Sequence, residues 1–353
     1  MFAGGGTLGH ILPVAPVARA LREANPGIKI YFVGTMKGLE RDYAEREGLF
    51  TRAYYFDSRG FRRGFSPANI VALYKHFKNY FKSRRLLRKI APDIVVGMGG
   101  YVSGAVVAAA VARKIKTAIH EQNSVYGFTN RVLRKKVDKV LLSYDIEKNE
   151  KTFLVGNPRL SEIYRRYRDQ IRQVDEKTLL VVGGSRGAGG INDLIIGLKD
   201  ELREKGIKVT LITGNNYYRK NIKKIEDLGD DFFSVRAFVD NLPAIMISAG
   251  AVVSRAGATT LAEITALKKV SLLIPSPYVA GNHQEKNAAT LAERGAALML
   301  KETEMNRENM LAMITELLEN KTLRKSIINN LNFIADIDAC DKFVNQLNEM
   351  IDK

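Results

Sequence analysis

The sequence contains one cysteine, Cys340, in 353 residues. A single cysteine excludes an internal disulfide framework and a cysteine-rich metal site, and it predicts a protein of a reducing compartment. The amino terminus lacks the basic segment and apolar run of a secretory signal, so we expect no export. The longest run of small apolar residues, 104–112, is far shorter than the ~20 residues that a membrane-spanning helix requires. We therefore expect no segment that crosses a bilayer.

Acidic residues are missing from one stretch of the chain. Residues 58–92 contain ten Lys or Arg and no Asp or Glu. Residues 1–158 hold 27 Lys and Arg against 12 Asp and Glu, a balance of +15, whereas residues 159–353 hold 28 against 26, a balance of +2. An excess confined to one half indicates that this half meets an anionic partner: a phospholipid surface, nucleic acid or a pyrophosphate.

The acid-free stretch predicts a helix with a cationic stripe, because Lys and Arg recur in it at spacings of three and four. The stripe consists of Lys75, Lys78, Lys82, Arg85 and Lys89, and the apolar residues Tyr74, Phe77, Phe81 and Leu87 are predicted on the opposite side. Such a helix can lie on an anionic membrane. It can equally pack its apolar face into the core, and in a combined arrangement Ile70 and Leu73 enter the core while the aromatic residues contact lipid. Nucleic-acid binding is the third interpretation, but no known nucleic-acid motif accompanies the helix.

Short β-branched runs alternate with amphipathic helical stretches, which predicts parallel α/β sheets. The pattern starts again halfway along the chain, so we expect two Rossmann-like halves. We place the hinge at 156–158, giving domains 1–158 and 159–336, with the helical segment 337–353 expected to join the first domain. The predicted strands are Ile28–Val33, Ile94–Val96, Thr117–His120, Lys139–Leu142, Leu179–Val182, Lys208–Ile212, Ala251–Ser254 and Val270–Ile274.

Three glycine-rich turns stand at predicted strand-to-helix junctions: 4–9, 183–188 and 257–260. The first matches the dinucleotide fingerprint G-x-G-x-x-G, but the strand Ile28–Val33 ends without the carboxylate that an NAD site requires, which disfavours NAD. What remains is the ability of a glycine turn at a helix start to present N–H groups and a positive dipole to an anion. One such turn is readily explained by packing, whereas three favour binding of phosphate or sugar.

Several polar residues near these turns are candidates for chemistry. His10 follows the first turn and has a side chain suited to general-base work near neutral pH, although a helix-capping role explains it equally well. His120-Glu121-Gln122-Asn123 ends an apolar strand, where α/β proteins place ligand contacts. No second ligand pair has metal-binding spacing, so we expect no metal site. Glu263 is placed to accept from a ribose diol or is an ordinary helix-start acid, and the polar loop 281–287 is a candidate for sugar hydroxyls.

Six ordered segments carry a family resemblance that covers nearly the whole chain. They are 5–10 (GGTLGH), 97–104 (GMGGYVSG), 120–123 (HEQN), 156–159 (GNPR), 183–188 (GGSRGA) and 255–263 (RAGATTLAE). In order and spacing they resemble the MurG family of glycosyltransferases. The resemblance implies a GT-B architecture: two Rossmann-like domains with parallel sheets facing across a cleft. It also implies inverting transfer of N-acetylglucosamine from UDP-N-acetylglucosamine to the 4-hydroxyl of the muramyl sugar of lipid I, giving lipid II for peptidoglycan synthesis.

The same resemblance assigns site residues. His10 is expected as the base, with Glu121 as the alternative or as its orienting partner. The expected donor-binding residues are Thr7, Leu8, Gly9, Asn123, Arg159, Ser185, Val239, Ala258, Thr259, Thr260, Leu261, Glu263 and Gln284. The acceptor pyrophosphate is expected at Gly6, Gly99, Gly100 and Tyr101, and the membrane contact at Tyr74, Lys75, Phe77, Lys78, Phe81, Lys82 and Arg85.

The resemblance also implies where the chain works and with what. It implies a peripheral protein on the cytoplasmic side of the cell membrane, with lipid I and UDP-N-acetylglucosamine as partners and no nucleic acid. It implies no obligatory cofactor, and it leaves stimulation by a divalent cation open.

The chain departs from the family pattern at two places. Leu8 stands where the family commonly has glycine, which is expected to hold the loop backbone farther from the ligand and to alter acceptor fit. Only Met1-Phe2-Ala3 precede the first glycine turn, so the first sheet is expected to lack most of a central strand, with weaker folding and activity.

Three other functions are compatible with parts of this pattern. A related transferase that glycosylates diacylglycerol is disfavoured by the segments 101–104 and 120–123. A UDP-sugar epimerase on the same fold would release free sugar without a lipid acceptor. A non-catalytic module for anionic membranes or nucleic acid would leave the glycine turns unexplained.

Overall fold

The computed structural model describes residues 1–60, 66–171, 175–183 and 188–351. Within these residues the strands follow the alternation that the sequence predicts, with shifted ends in six of the eight predicted strands and with additional strands. They are β1 (Phe2–Ala3), β2 (Tyr31–Thr35), β3 (Arg52–Phe56), β4 (Ile94–Gly97), β5 (Lys116–Glu121), β6 (Lys139–Leu142), β7 (Thr152–Leu154), β8 (Asp175–Val182), β9 (Lys208–Ile212), β10 (Phe233–Arg236), β11 (Ala249–Ser254), β12 (Ser271–Leu273) and β13 (Leu298–Met299).

Helices connect successive strands at every step except β6 to β7, where a loop makes the parallel connection. They are α1 (Val14–Ala24), α2 (Leu39–Glu47), α3 (Pro67–Ile90), α4 (Tyr101–Val111), α5 (Phe128–Leu133), α6 (Pro158–Tyr167), α7 (Gly189–Gly197), α8 (Lys199–Glu204), α9 (Asn215–Lys220), α10 (Ile222–Glu226), α11 (Leu242–Met246), α12 (Ala258–Ala266), α13 (His283–Ala292), α14 (Arg307–Glu319), α15 (Lys321–Ile334) and α16 (Ala339–Ile351). Short 3₁₀ turns lie at Leu8–His10, Arg168–Gln170, Ala280–Asn282 and Glu302–Glu304.

The chain divides into two units, each with its own sheet. Unit 1 comprises Met1–Glu162 and Asp336–Lys353, and unit 2 comprises Ile163–Ala335. Unit 1 has a seven-stranded sheet in the order β3-β2-β1-β4-β5-β6-β7, and unit 2 a six-stranded sheet in the order β10-β9-β8-β11-β12-β13. All described strand pairs are parallel. Both sheets therefore have the doubly wound Rossmann order, and the predicted α/β fold class is confirmed.

The strand β1 is two residues long but lies at the centre of the first sheet. Phe2 and Ala3 pair with β2 on one side and with β4 on the other. The Met1 carbonyl also accepts from the Val96 N–H at 2.8 Å, so pairing with β4 extends one residue beyond the strand. Both strand residues are buried. The short central strand that the sequence predicts is thus present, and it is held by both neighbours.

The unit 1 sheet buries both of its faces, because successive side chains of a strand point to opposite sides. Phe2, Phe32 and Val96 belong to one apolar cluster, together with residues of α1 and α16. Their sequence neighbours Ala3 and Val33 belong to a second cluster, together with residues of α4. The two clusters hold the strands in a fixed register, which sets the position of the loops at the strand ends.

The carboxyl-terminal helix α16 is part of unit 1. Cys340, Phe343 and Leu347 lie in the same apolar cluster as Phe2 and Phe32, and each is buried. The side chain of Lys116 donates to the Met350 carbonyl at 2.6 Å, and that of Lys139 donates to Glu349 at 2.7 Å. Apolar packing and hydrogen bonds from the two lysine side chains thus attach the last helix to the first sheet.

The long helix α3 packs against α4 through a face that is not its most apolar one. Its buried residues are Ala72, Asn79, Ser83 and Leu87. The expectation that Ile70 and Leu73 enter the core is wrong, since they are 73% and 57% exposed. The side that meets α4 instead carries small and polar residues, which let the two helices approach closely. None of the helices within the described ranges is long and apolar enough to cross a membrane.

Candidate functional site

The strand order places two loop pairs where doubly wound folds bind ligands. In such sheets the ligand crevice opens at the carboxyl ends of the strands, at the point where the strand order reverses. In unit 1 this point lies between β1 and β4, which are followed by residues 4–10 and 98–101. In unit 2 it lies between β8 and β11, which are followed by Gly183, the last described residue before 188, and by residues 255–258. The segments of unit 1 contain His10 and the residues expected at the acceptor pyrophosphate, and residues 255–258 of unit 2 lead into the helix that carries Thr259, Thr260 and Glu263.

The first glycine turn of unit 1 is organised around one peptide group, between Gly5 and Gly6. Its carbonyl lies 2.8 Å from Nδ1 of His10. Its N–H donates to Oε1 of Glu40 at 2.7 Å. Because a carbonyl can only accept, Nδ1 of His10 carries a proton, so in the neutral ring Nε2 is the nitrogen with the lone pair. The Thr7 hydroxyl lies 3.5 Å from the same Nδ1.

The loop after β4 presses against this turn, and only glycine fits there. A Cβ on Gly100 would lie 2.1 Å from the Gly5 carbonyl oxygen, and one on Gly99 would lie 2.9 Å from Nε2 of His10. Both glycines have positive φ, of +82° and +98°, which other residues rarely adopt. Gly6, Gly99, Gly100 and His10 are therefore brought together, and Tyr101 begins α4 directly after them.

Leu8 does not point into this loop pair. Leu8 and Gly9 lie in the 3₁₀ turn that follows Thr7, and the Leu8 side chain packs against the apolar cluster around Phe2 and Phe32. The volume that leucine adds at this position, compared with the glycine common in the family, is thus accommodated by the core of unit 1.

Glu121, at the end of β5, organises the segment that follows it. Its Oε1 accepts from the backbone and side-chain nitrogens of Asn123, at 3.1 and 2.9 Å. Its Oε2 accepts from Gly127 N and Asn130 Nδ2, both at 2.9 Å. A buried carboxylate whose two oxygens accept four hydrogen bonds fixes the loop, and this arrangement favours a positioning role over a role as general base.

His120 is buried and its ring is fully engaged. Nδ1 accepts from the Gln122 amide at 3.2 Å, so Nε2 carries the proton and donates to the Gly156 carbonyl at 3.2 Å. Gln122 also donates to the Met98 carbonyl at 2.9 Å. Desolvation lowers the pKa of His120 to about 4, so the ring is neutral at physiological pH. His120 and Gln122 therefore act in packing and loop placement.

In unit 2, α12 begins where β11 ends. The helix starts at Ala258, and its N-cap residue Gly257 supplies no side-chain hydrogen bond to the free N–H groups of the first turn. The Thr259 hydroxyl is buried without a partner among the residues that the structure describes, and so is the Ser254 hydroxyl at the end of β11. Thr260 lies one position further on. Free N–H groups beside an unpaired buried hydroxyl are the features of an anion site at a helix N-terminus.

Glu263 lies on α12, and Gln284 lies in the first turn of α13. Glu263 is buried in α12, and the chain neighbours Ala258 and Leu261 belong to the same helix. Oε1 of Gln284 accepts from Ser276 N at 2.9 Å, which ties the start of α13 to the loop after β12. Asn287 is buried and donates to the Ala256 carbonyl at 3.2 Å, which fixes the start of α13 against the turn before α12.

Three further predicted donor residues have separate placements. Val239 follows β10, at the far edge of the unit 2 sheet. Arg159 lies at the start of α6 and contacts Glu162 at 2.8 Å. Ser185 lies outside the described residues.

Sequence reasoning missed two charged residues that organise these loops. Glu40 is buried, and it accepts from Gly6 although 34 positions separate them. Arg255 donates to the Ile274 carbonyl at 3.2 Å and to Glu302 at 2.7 Å, and so joins the ends of β11 and β12. Glu40 has no sequence signal beyond its place after a strand, whereas Arg255 lies inside a segment that the sequence had marked.

No group of three or more His, Cys, Asp or Glu in the described part of the chain has the arrangement to hold a metal ion. The expectation that the chain has no metal site stays a prediction.

Comparison with known proteins fits this geometry. Residues 1–142 match the model of the glycosyltransferase family 28 N-terminal domain, and residues 178–339 match that of the family 28 C-terminal domain. The crystal structure of MurG from Acinetobacter baumannii is 25% identical, with a TM-score of 0.76 and coverage of 99% of both chains. A UDP-N-acetylglucosamine 2-epimerase structure, 14% identical with a TM-score of 0.68 over 98% of this chain and 94% of its own, shows the shared fold alone. Fold and site together define a GT-B glycosyltransferase of family 28.

Curated relatives narrow the class further. One from Bacillus subtilis is 37% identical over 99% of this chain and 98% of its own length, and one from Listeria monocytogenes is 38% identical over 97% and 96%. Both are named UDP-N-acetylglucosamine–N-acetylmuramyl-(pentapeptide) pyrophosphoryl-undecaprenol N-acetylglucosamine transferase. The chain belongs to the MurG family.

Proposed function

We propose that the chain transfers N-acetylglucosamine from UDP-N-acetylglucosamine to the 4-hydroxyl of the muramyl sugar of lipid I, giving lipid II. The observation that carries the proposal is the whole-chain identity of 36–38% to relatives named for this transfer. The site geometry supports it, because each unit presents its loops at the switch point of a Rossmann sheet.

The reaction is a single displacement with inversion. The 4-hydroxyl oxygen attacks the anomeric carbon while its proton passes to Nε2 of His10, and the bond from that carbon to the diphosphate oxygen breaks. UDP leaves with the bonding electron pair, and the imidazolium then returns its proton to solvent. His10 suits the role because Nδ1 faces the Gly5 carbonyl and leaves Nε2 as the basic nitrogen.

Unit 2 supplies the donor site in this proposal. The N-terminus of α12 receives the diphosphate, with the hydroxyls of Thr259 and Thr260 beside it. Glu263 accepts from the ribose diol, Gln284 contacts the sugar, and the backbone near Val239 contacts uracil. Charge that develops on the departing diphosphate is stabilised by the helix dipole and by these donors.

Unit 1 supplies the acceptor and membrane side. The loops with Gly6, Gly99 and Gly100 receive the acceptor pyrophosphate, and α3 places the unit on the anionic cytoplasmic face of the membrane. On α3 the exposed residues Tyr74, Phe77 and Phe81 are 67%, 61% and 54% accessible. Exposed aromatic residues beside Lys and Arg are the pattern of a peripheral membrane contact.

The test is transfer of labelled N-acetylglucosamine by the wild-type chain to a lipid I analogue, to diacylglycerol, or with no acceptor. We expect lipid-linked disaccharide with the lipid I analogue alone, and we expect His10→Ala to lower kcat by ~100-fold or more. Product on diacylglycerol would replace the proposed acceptor. Release of free epimerised sugar without any acceptor would replace transfer by epimerisation.

The donor site has a sharper test in Thr259→Val, which removes one buried hydroxyl at nearly constant volume. If the hydroxyl meets the diphosphate, the variant folds at least as stably as the wild type but its Kd for UDP rises about 10- to 150-fold, since a lost hydrogen bond to a charged group costs ~1.5–3 kcal/mol. Thr315→Val is the matched control, because Thr315 on α14 also has a buried hydroxyl without a partner in the described structure. Equal UDP affinity in both variants, measured by calorimetry, would remove Thr259 from the donor site.

A further inference from the structure

A buried carboxylate lies directly beneath the first glycine turn. Glu40, in the first turn of α2, is 0% exposed. Its Oε1 accepts from Gly6 N at 2.7 Å and from Thr35 N at 3.3 Å, and it also accepts from the Thr35 hydroxyl. Its Oε2 has no partner within the described part of the chain. Burying a carboxylate costs free energy, because the charged group loses its contact with water and one of its oxygens here has no partner to offset the loss. Glu40 is therefore expected to have a role beyond holding α2.

The surrounding glycines are shaped to admit this carboxylate. A Cβ on Gly5 would lie 2.8 Å from Oε1, and one on Gly38 would lie 1.8 Å from Oε2. Glu40 therefore sits in a cradle that larger residues would close. The turn and the start of α2 have to keep these small residues for the carboxylate to reach the Gly6 N–H.

The Gly5–Gly6 peptide links Glu40 to His10. Its N–H points to the carboxylate, and its carbonyl, on the opposite edge of the same planar group, accepts from Nδ1 of His10. A negative charge at the N–H end polarises the peptide and makes its carbonyl a stronger acceptor. The imidazole is thus oriented through the peptide much as a carboxylate orients the histidine of a serine protease by direct contact.

We propose that Glu40 is a positioning residue for the reaction, which holds the Gly5–Gly6 peptide so that His10 keeps its proton on Nδ1 and presents Nε2 as the base. This inference rests on the proposed function for the part played by His10 in transfer. The tautomer of His10 is a property of the unliganded chain, so the two can be tested separately.

The first measurement is the ring ¹⁵N spectrum of His10 in the full-length wild-type chain, assigned with His10→Gln. We expect the Nδ1–H tautomer to predominate in the neutral ring. A predominant Nε2–H tautomer would overturn the proposal, whatever the variants show. This result does not depend on transfer activity or on the stability of any variant.

The second measurement uses Glu40→Gln, which keeps the side-chain volume and an acceptor oxygen but removes the charge. We expect a partial shift of His10 toward the Nε2–H tautomer, kcat lowered about 10- to 100-fold, and KM for UDP-N-acetylglucosamine changed less than about twofold. Glu45→Gln is the matched control: it makes the same change on the same helix, where the carboxylate is exposed and pairs with Arg41. The control is expected to leave the tautomer and kcat as in the wild type.

The outcomes separate the two proposals. A tautomer shift in Glu40→Gln, in a chain whose wild type shows no transfer, supports the loop arrangement and contradicts the function. Active Glu40→Gln with an unchanged tautomer contradicts the positioning role and leaves the function standing. A kcat loss with an unchanged tautomer also contradicts it, since a general loss of stability would produce that result.

Discussion

At the residue scale, two neighbours on β5 show how different the roles of adjacent polar side chains can be. His120 and Glu121 point to opposite faces of the strand. His120 contacts Phe343 of α16 edge-on at 5.2 Å and stays neutral inside the core. Glu121 accepts four hydrogen bonds from the segment after the strand. Both side chains hold the loops in place. The histidine that lies at the switch point of unit 1 is His10.

The low pKa of His120 makes the stability of unit 1 depend on pH. The folded pKa is about 4 against an ordinary value of 6.5, so between these values the unfolded chain binds more protons than the folded chain. The stabilisation is complete above pH 6.5 and is lost as the pH falls toward 4, by ~3 kcal/mol in all. We expect His120→Gln to remove this part of the pH dependence in denaturant titrations.

The control for that titration is His283→Gln, the same change in unit 2. It is expected to retain the wild-type pH dependence of unit 1. If His120→Gln and wild type lose stability equally between pH 6.5 and 4, the buried histidine does not titrate in this window.

The sequence predicts residues whose neighbours are close in the chain, and it misses those that depend on distant ones. The glycine turn and His10 were found because both lie within one short segment. Glu40 was missed because its partner is a backbone N–H, which has no side-chain identity, on a loop that only the β1–β2 pairing brings near. The position of Leu8 was also beyond the sequence, since a loop residue that turns into the core looks the same as one that faces a ligand.

At the element scale, the strands that the sequence missed are the edges of the sheets. Interior strands are covered on both sides and read as continuous apolar runs, which the sequence displays. An edge strand is covered less and carries polar residues, so its pattern is weak. The four edge strands, β3, β7, β10 and β13, were all unpredicted. Two strands, β6 and β9, were predicted with the bounds that the structure has.

The orientation of α3 was also beyond the sequence, because an amphipathic pattern does not tell which face a neighbour covers. The face that meets α4 includes Asn79 and Ser83, whereas Ile70, Leu73 and Phe77 face solvent. Lys78 and Arg85 are exposed as well. Apolar and cationic side chains of α3 can therefore contact the same membrane surface. Lys75 is instead paired with Asp57 at 2.7 Å.

The exposed aromatic residues of α3, together with the exposed Lys and Arg beside them, predict binding to anionic vesicles. Replacing Phe77 and Phe81 with serine removes apolar area that is already in water, so folding stability is expected to change little. Vesicle affinity is expected to fall by about tenfold or more, since inserting one aromatic side chain contributes ~1.5–3 kcal/mol. Co-sedimentation with phosphatidylglycerol vesicles, against phosphatidylcholine vesicles, measures the effect.

Phe333→Ser provides the control for the double replacement of Phe77 and Phe81. Phe333 is 93% exposed on α15, a helix of unit 2, so the change is similar but is made on a different helix. We expect this variant to bind vesicles like the wild type. A double α3 variant that still binds anionic vesicles with wild-type affinity would assign the membrane contact to another surface.

At the scale of the whole molecule, the chain leaves unit 1 after residue 162 and returns to it at residue 336. The sequence shows that 337–353 is helical and amphipathic, but a helical pattern does not identify the sheet against which it packs. In the structure α16 lies against α1 and supplies Phe343 to the core of the first sheet. The stability of unit 1 therefore depends on residues that are synthesised after all of unit 2.

This dependence predicts a contrast between two phenylalanines in neighbouring helices. Phe343 is fully buried in unit 1, so Phe343→Ala should lower the free energy of unfolding of that unit by ~3–5 kcal/mol. Phe333→Ala, the same change at an exposed position of unit 2, should shift stability by less than about 0.5 kcal/mol. Hydrogen exchange followed by mass spectrometry is expected to show faster exchange in Phe343→Ala across β1, β4 and β5, with unit 2 unchanged. Equal acceleration in both units would mean that they unfold as one cooperative body, and unchanged exchange in unit 1 would mean that α16 contributes little to its core.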